Sequence, residues 1–359
     1  MLESTYVQTP SARPEAYPEH RQTTGQPSSL HPQSSIFNYT TMKDTSKPEG
    51  SKPKASGDVG RNERRAIAKS TLEIIEAGYY TAGDVRHDIQ PLLDSMLSGT
   101  RFYAVDSDLS FWAQPSSFND LSRDRPTEIS IVEISTLQGA EFLSSIPYTS
   151  PEEPKRRTGV LNFASAKKPG GGFQTGAQAQ EESIARSSTL YPSLISSAGE
   201  EFYNPHKKNS KGGYYSHAMI FTPDVVVFRT DLGELRAPIE IDVVTSAAVN
   251  AGVARRTLSG QVAGAAEEVK IGLAMKERMG RILFLFEKHG IKDLVLGSFG
   301  TGVFKNQITL IAAIWAELLV APEARFANSF DRVVFAILGR STFEEFKDGF
   351  EERQATNKG

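Results

Sequence analysis

The sequence contains no cysteine, which excludes disulfides, thiolate zinc sites and a cysteine nucleophile. Its six histidines include no H-x-x-x-H pair, so a metal site with the usual spacing is not expected. No stretch approaches the roughly 20 apolar residues of a membrane span, and the amino terminus lacks the layout of a secretory signal. The net charge of −3 offers no overall basic field for nucleic acid. These absences predict an intracellular protein, nuclear or cytoplasmic, that binds neither DNA nor a membrane.

The amino-terminal part differs in composition from the rest of the chain. Residues 1–60 carry seven of the nineteen prolines and few apolar residues, which predicts a disordered tail. Residues 61–77 repeat apolar side chains with helical spacing, and Gly78 follows as a stop signal. We therefore predict a helical extension over 61–128 and a larger folded domain over 129–359.

Strands alternate with helices in the remainder of the chain. Buried strands are predicted at 160–163, 239–245, 293–296 and 332–338, and a helix is predicted after each of them. Two shorter predictions are a turn at 222–224 between two strands and a loop over 198–213. This alternation is typical of an α/β fold with a mixed, mainly parallel sheet covered by helices.

Two glycine-rich loops each follow a buried strand and precede a helix. The first contains Gly170, Gly171 and Gly172, and the second runs through Gly297, Ser298, Phe299, Gly300, Thr301, Gly302, Val303 and Phe304. Glycine lets backbone N–H groups turn toward an anion, so the two loops together predict a diphosphate site. Neither loop has the P-loop or the G-x-G-x-x-G pattern. The alternative for each loop is a tight turn without a ligand.

Polar side chains lie close to the first loop in sequence. Glu181 and Glu182 are adjacent and, at the start of a helix, point about 100° apart. One carboxyl group then suits acid–base chemistry while the other holds a sugar hydroxyl. The alternative is acidic charge that favours the helix dipole. Asn162, at the end of the preceding strand, is a candidate ribose ligand or a strand cap.

The spacing of Gly-Gly-Gly, seven residues and Gln180-Glu181-Glu182 resembles the signature of poly(ADP-ribose) glycohydrolases, which have a macrodomain fold. The wider match is to the compact, microbial type and covers roughly residues 61–340. It also includes residues 162–166, 177–183, 186–188, 243–252 and 297–306. The resemblance implies a three-layer α/β/α macrodomain with an amino-terminal helical extension.

The resemblance also implies a specific activity. Poly(ADP-ribose), free or on modified proteins, would be cut at its ribose–ribose bond to release ADP-ribose, in the DNA damage response and with no metal or cofactor. Glu182 would act as general acid and base, and Glu181, the second catalytic residue, would hold a ribose hydroxyl and orient the substrate. Gln180 would belong to the ligand site. Both glycine loops would hold the diphosphate, and Phe304 and Asn162 would contact the terminal ribose. The alternatives are a non-catalytic ADP-ribose reader and a hydrolase of a smaller ADP-ribose ester.

Overall fold

The computed structural model describes residues 59–114, 125–147, 156–321 and 323–356. The tail predicted to be disordered lies outside the described residues, except for its last two positions. The described helices are α1 (Arg61–Ala77), α2 (Gln90–Gly99), α3 (Thr136–Ser144), α4 (Gln180–Ser187), α5 (Leu190–Leu194), α6 (Ser197–Lys208), α7 (Ala251–Ala254), α8 (Leu258–Ala263), α9 (Ala265–Lys288), α10 (Ile308–Leu319) and α11 (Arg340–Thr356). The described strands are β1 (Tyr79–Ala82), β2 (Val85–Asp88), β3 (Arg101–Tyr103), β4 (Glu128–Val132), β5 (Thr158–Phe163), β6 (Met219–Arg229), β7 (Leu235–Ser246), β8 (Asp293–Leu296) and β9 (Arg332–Ala336).

A seven-stranded sheet with the order β3-β6-β7-β5-β8-β9-β4 forms the centre of the fold. β6 runs antiparallel to β3 and β7, and the other neighbouring strands are parallel to each other. β5 lies in the middle and pairs with β7 and β8, with Asn162 opposite Thr245. In an open α/β sheet ligands bind beyond the carboxyl ends of the strands. This arrangement places the two glycine loops, which follow β5 and β8, at the same edge.

Successive side chains of the central strands point to opposite faces of the sheet. Val160 and Val243 pack in the cluster that includes α2 to α6, whereas Leu161 and Val244 pack in the cluster that includes α9, α10 and α11. Continuous apolar strands buried on both faces are typical of parallel sheets. The predicted three-layer α/β/α fold with a mixed, mainly parallel sheet is confirmed.

Two local predictions were wrong. Residues 222–224 lie inside β6, where the register with β7 shifts between Thr222 and Val225. The bulge accommodates Pro223 within a paired strand, because a bulged residue does not need to donate to the ladder. Most of the segment 198–213 is helix α6, in which Phe202 and Tyr203 are buried. Burial of these rings outweighs the local signal of the Asn, Lys and Gly residues.

The predicted helical extension begins with α1, which ends at Gly78 with a left-handed φ of 73°. Ala68 of α1 packs with Phe173 and Ala185, and Thr71 donates to the carbonyl of Arg186 at 2.5 Å. α1 therefore lies against the segment that carries the first glycine loop and α4. β3, in the same predicted extension, joins the central sheet as an edge strand. None of the described helices is long and apolar enough to cross a membrane.

Candidate active site

Gln180, the first residue of α4, ties that helix to the end of β5. Its Oε1 accepts from the N–H of Phe163 at 2.8 Å, and its Nε2 donates to the carbonyl of Leu161 at 2.7 Å. Nε2 also donates to Thr136 Oγ1 at 3.3 Å. The oxygen and the nitrogen of the side-chain amide both form hydrogen bonds with protein groups. The side chain therefore fixes the position of the two glutamates that follow it. The structure thus gives Gln180 a positioning role, and its contact with a ligand stays a prediction.

Glu182 is partly exposed and is held by the first glycine loop. Its Oε1 accepts from the N–H of Gly172 at 2.9 Å, and its other oxygen has no hydrogen bond within the described part of the chain. A Cβ built on Gly171 would lie 2.4 Å from Glu182 Oε1, and Gly171 has a left-handed φ of 58°. A side chain at position 171 would therefore displace the carboxyl group and strain the backbone.

Glu181 is only 2% exposed and accepts from the N–H of Ser165 at 2.7 Å through Oε2. Burial raises the pKa of Glu181 well above its usual 4.5 against the opposing hydrogen bond from Ser165, and the neighbouring charge of Glu182 adds to the rise. Asn162 is fully buried and donates to Thr245 Oγ1 at 3.2 Å. Glu181 Oε1 and Asn162 Oδ1 are both buried without a hydrogen-bond partner among the described residues. Buried acceptors in native proteins are normally satisfied, so these two oxygens suit the hydroxyl groups of a ligand.

Three arginines hold the segment between the first loop and α4. They donate to three successive backbone carbonyls: Arg61 Nε to Thr175 at 3.1 Å, Arg64 Nε to Gly176 at 2.9 Å and Arg186 Nη1 to Ala177 at 2.7 Å. Charge-assisted hydrogen bonds of this kind are stronger than neutral ones. We call these three residues the arginine clamp. It connects α1 to the loop that positions the glutamates.

The second loop is folded around Gly300 and Asn306. Gly300 has a left-handed φ of 78°, and a Cβ there would lie 2.4 Å from the Cβ of Ala248. Asn306 Nδ2 donates to the carbonyls of Gly300 at 2.9 Å and Val249 at 2.8 Å. Trp315 Nε1 donates to the carbonyl of Gly297 at 3.1 Å. The shape of the loop is therefore fixed by buried groups on its inner side.

Most backbone N–H groups of the second loop have no acceptor among the residues that the structure describes. These are the N–H groups of Ser298, Gly300, Gly302, Val303 and Phe304. The N–H groups of Phe299 and Thr301 donate within the loop, to Gly297 at 2.8 Å and Ser298 at 3.2 Å. Clustered free N–H groups form an anion-binding concavity.

The aromatic residues of the second loop lie in different environments. Phe299 is fully buried, 5.5 Å from the ring of Phe163, so its ring supports the loop from below. Phe304 is half-buried, and its ring lies 5.9 Å from that of Tyr215. Val303 is 81% exposed. Phe304 thus keeps part of its ring available for packing against a ligand.

The chain is similar to a known protein family and to known crystal structures. The family model of the microbial-type PARG catalytic domain matches residues 68–230. The crystal structure of poly(ADP-ribose) glycohydrolase (PARG) from Thermomonospora curvata is 35% identical, with a TM-score of 0.69, over 81% of this chain and 99% of that one. The chain belongs to the microbial-type PARG family.

Two further PARG structures contain a ligand. The enzyme from T. curvata bound to the inhibitor ADP-HPD is 34% identical, with a TM-score of 0.67, over 81% of this chain and 99% of that one. The enzyme from Deinococcus radiodurans in complex with ADP-ribose is 30% identical, with a TM-score of 0.60, over 73% of this chain and 98% of that one. No curated protein matches the sequence. The predicted family and the predicted enzyme class, a glycosidase, are confirmed.

Several residues of this PARG site were not predicted from the sequence. Arg64 and Arg186 lie in segments that resemble the family, but the contacts of the arginine clamp were not predicted, because Arg61 and Arg64 lie more than a hundred residues before the carbonyls that they bind. Tyr203 of α6 was missed because its segment was predicted to be a loop. Its hydroxyl is buried without a partner in the described chain, and burial, with Glu181 nearby, raises the pKa of Tyr203. Only the basic run of residues 61–65 could have suggested an ionic role for α1.

Proposed function

We propose that this PARG cleaves the ribose–ribose O-glycosidic bond of poly(ADP-ribose) and releases ADP-ribose, with Glu182 as its general acid and base and without a metal. The observation that carries the proposal is the placement of Glu182. One carboxyl oxygen is fixed by the N–H of Gly172 at 2.9 Å and the other is free of hydrogen bonds within the described residues. A fixed, partly exposed carboxyl group at the ligand edge of the sheet suits proton transfer.

Glycosidases usually place two carboxyl groups on either side of the bond that is cut. Glu181 and Glu182 are adjacent on α4 and cannot flank a sugar in that way. We therefore assign the proton transfers to Glu182 alone. It protonates the leaving ribose oxygen as the bond to the anomeric carbon breaks, and it then takes a proton from the water that attacks that carbon. The diphosphate of the substrate stabilises the positive charge that develops on the sugar.

Glu181 and Asn162 are assigned to the terminal ribose. Their buried oxygens Oε1 and Oδ1 lack partners in the described chain, and ribose hydroxyls would supply the missing donors. A hydrogen bond from a ribose hydroxyl to Glu181 orients the anomeric carbon toward Glu182. Phe304, with its ring half-buried, packs against the same sugar.

The diphosphate is assigned to the second glycine loop. Its free N–H groups and the close approach allowed by Gly300 and Gly302 support this assignment. The first loop contributes less to the diphosphate than the sequence predicted, because the N–H of Gly172 binds Glu182 and that of Gly171 binds the carbonyl of Lys168. Its main task is to hold the catalytic carboxyl group.

A non-catalytic reader of ADP-ribose is the second candidate. A reader needs the second loop. It needs neither a glycine at position 171, which leaves room for Glu182, nor the arginine clamp on the adjoining carbonyls. Both features are present, and they favour the enzyme. Modified proteins as partners, a nuclear or cytoplasmic location and a role in DNA damage remain predictions from the sequence.

The test is release of ADP-ribose from poly(ADP-ribosyl)ated protein by the wild type and by Glu182→Gln, with and without a chelator. We expect the variant to lose about 10²- to 10⁴-fold in rate, which is the usual contribution of general acid–base catalysis. ADP-ribose affinity in calorimetry should persist, and the chelator should have no effect. Substantial turnover by Glu182→Gln would remove the assigned role of Glu182. No release by either protein, with ADP-ribose still bound, would identify a reader, and release from mono-ADP-ribosylated protein alone would identify an ester hydrolase.

A further inference from the structure

A surface depression of about 460 Å³ lies between the first half of α1 and the turn Phe173–Thr175. Its lining residues are Asn62, Arg65, Ala66, Lys69 and Gln174. Two cationic and two amide side chains face this space, and no carboxyl group is among the lining residues. Guanidinium and ammonium groups bind phosphate, and amides bind hydroxyl groups and the edges of bases.

The helix that forms one wall is locally basic although the protein as a whole is acidic, with a net charge of −3. Residues 61–69 contain four basic side chains and one acidic one: Arg61, Arg64, Arg65, Lys69 and Glu63. Arg65 has no hydrogen bond or ion pair with any described residue. Lys69 is 80% exposed and lies 3.7 Å from Glu73, a surface pair of small energy. Arg65 and Lys69 are therefore available to an external anion.

The depression adjoins the first glycine loop, which holds the proposed catalytic carboxyl group. Gly172, whose N–H binds Glu182, is two residues before Gln174, and two residues span at most about 7 Å. Glu182 protonates the oxygen of the ADP-ribose unit that remains on the polymer. The ribose that carries this oxygen would lie next to Glu182. The diphosphate of the same unit is attached to that ribose and would lie further from Glu182.

We propose that the depression is a subsite for the ADP-ribose unit on the leaving-group side of the cleaved bond. Arg65 and Lys69 would bind its diphosphate, and Asn62 and Gln174 would bind its hydroxyl groups or its base. The subsite rests on the proposed function for its place in the reaction. The subsite would make the affinity for the polymer higher than the affinity for the released ADP-ribose. A new polymer end would then replace the bound product more readily.

The experiment compares the double variant Arg65→Gln/Lys69→Gln with the wild type, since glutamine removes the charge but keeps much of the side-chain length. The KM for poly(ADP-ribose) is measured, and the Kd for the polymer is measured with Glu182→Gln added to both proteins. An ADP-ribose glycoside with an uncharged 4-nitrophenyl leaving group serves as the substrate that lacks the second unit. The matched control is Lys347→Gln on α11, because Lys347 and Glu351 form an equivalent exposed pair at 3.8 Å.

We expect the double variant to raise KM and Kd for the polymer about 3- to 10-fold and to weaken their salt dependence, as loss of two exposed charge contacts should. Its affinity for ADP-ribose and its KM for the glycoside should match those of the wild type. Unchanged KM and Kd for the polymer in the double variant would overturn the subsite. So would an equal rise of these constants in Lys347→Gln, or an equal rise of the KM for the glycoside in the double variant. If the wild type releases no ADP-ribose, the proposed function fails, whereas the Kd for the polymer still decides whether the surface binds it.

Discussion

The two glycine loops of this PARG have similar compositions and the same position after a parallel strand, yet their N–H groups are used differently. In the first loop, Gly172 donates to Glu182 at 2.9 Å and Gly171 donates to the carbonyl of Lys168. In the second loop, Gly300 and Gly302 donate to no acceptor in the described chain. The first loop thus binds a carboxyl group of its own protein, and the second is open to an external anion.

The comparison shows that glycine content indicates where backbone N–H groups approach a negative charge. It does not show whether that charge belongs to the protein or to a ligand, which depends on the residues that follow each loop. Seven residues separate the first loop from Gln180 and the two glutamates, whereas after the second loop the chain continues into the apolar helix α10. Because the carboxyl group of Glu182 accepts a hydrogen bond from the first loop, that loop has less room for a phosphate.

The largest expected effects come from substitutions that separate the two loops. In Gly171→Ala, the new Cβ meets Glu182 Oε1 at 2.4 Å and the left-handed φ is strained. We expect kcat to fall about 10²-fold, because a displacement near 1 Å costs that much in positioning, while ADP-ribose affinity is kept. In Gly300→Ala, the clash is with Ala248 at 2.4 Å, and we expect ADP-ribose affinity to fall instead.

Calorimetry with ADP-ribose and steady-state kinetics on the polymer measure both variants. Thermal unfolding shows whether each protein is folded at the assay temperature. Equal losses of affinity in the two variants would mean that both loops bind the diphosphate, as the sequence alone predicted, and the contrast between them would then be wrong.

A smaller effect is expected from the arginine clamp, which acts on the first loop only. Arg64→Ala removes the donor to the carbonyl of Gly176, 2.9 Å away, and loosens the segment that leads to Glu182. We expect kcat to fall about 10-fold with KM nearly unchanged, in line with a small positional error. Arg64→Lys, which keeps one charged donor, should recover part of the loss, and ADP-ribose affinity should not change.

The positioning role of the clamp would be contradicted if the loss of activity in Arg64→Ala came only from a loss of protein stability. In that case the activity of Arg64→Ala would return to the wild-type value at low temperature, where the protein is fully folded. A rise in KM without a change in kcat would instead place Arg64 in the ligand site.

The smallest effect concerns the stability of the protein and the buried carboxyl group beneath the first loop. Burial raises the pKa of Glu181 well above 4.5 in the folded state, so the folded protein holds this proton more tightly than the unfolded chain does. The stabilisation from that proton is complete below the unfolded pKa and is lost as the pH rises through the folded pKa. We expect the free energy of unfolding of the wild type to fall relative to that of Glu181→Gln as the pH rises above about 4.5.

Urea unfolding of both proteins across this pH range measures the difference. A difference that stays constant with pH, or that changes in favour of the wild type, would show that hydrogen bonds from Ser165 and its neighbours outweigh burial.

Much of the fold could be predicted because its signals are local. The helix over 61–77 and the strand over 293–296 have the bounds that their apolar patterns predicted. The predictions failed where tertiary burial outweighed local chemistry, as in α6, where Phe202 and Tyr203 are buried, and at Pro223, which is accommodated in the bulge of β6. The glutamates and the glycines were visible in the sequence because their spacing is a motif, whereas the clamp joins residues far apart in the chain.

By itself the sequence determined the layered α/β fold, the family and the two glutamates at the start of α4, because apolar periods and motif spacing are properties of neighbouring residues. The tertiary structure decided which N–H groups bind Glu182 and which remain free for a phosphate, because those partners depend on how separate loops meet at one sheet edge. It also decided that Gln180 and Phe299 support the site from within. These supporting contacts depend on the orientation of each side chain, which only the packing of β5, α4 and the second loop fixes.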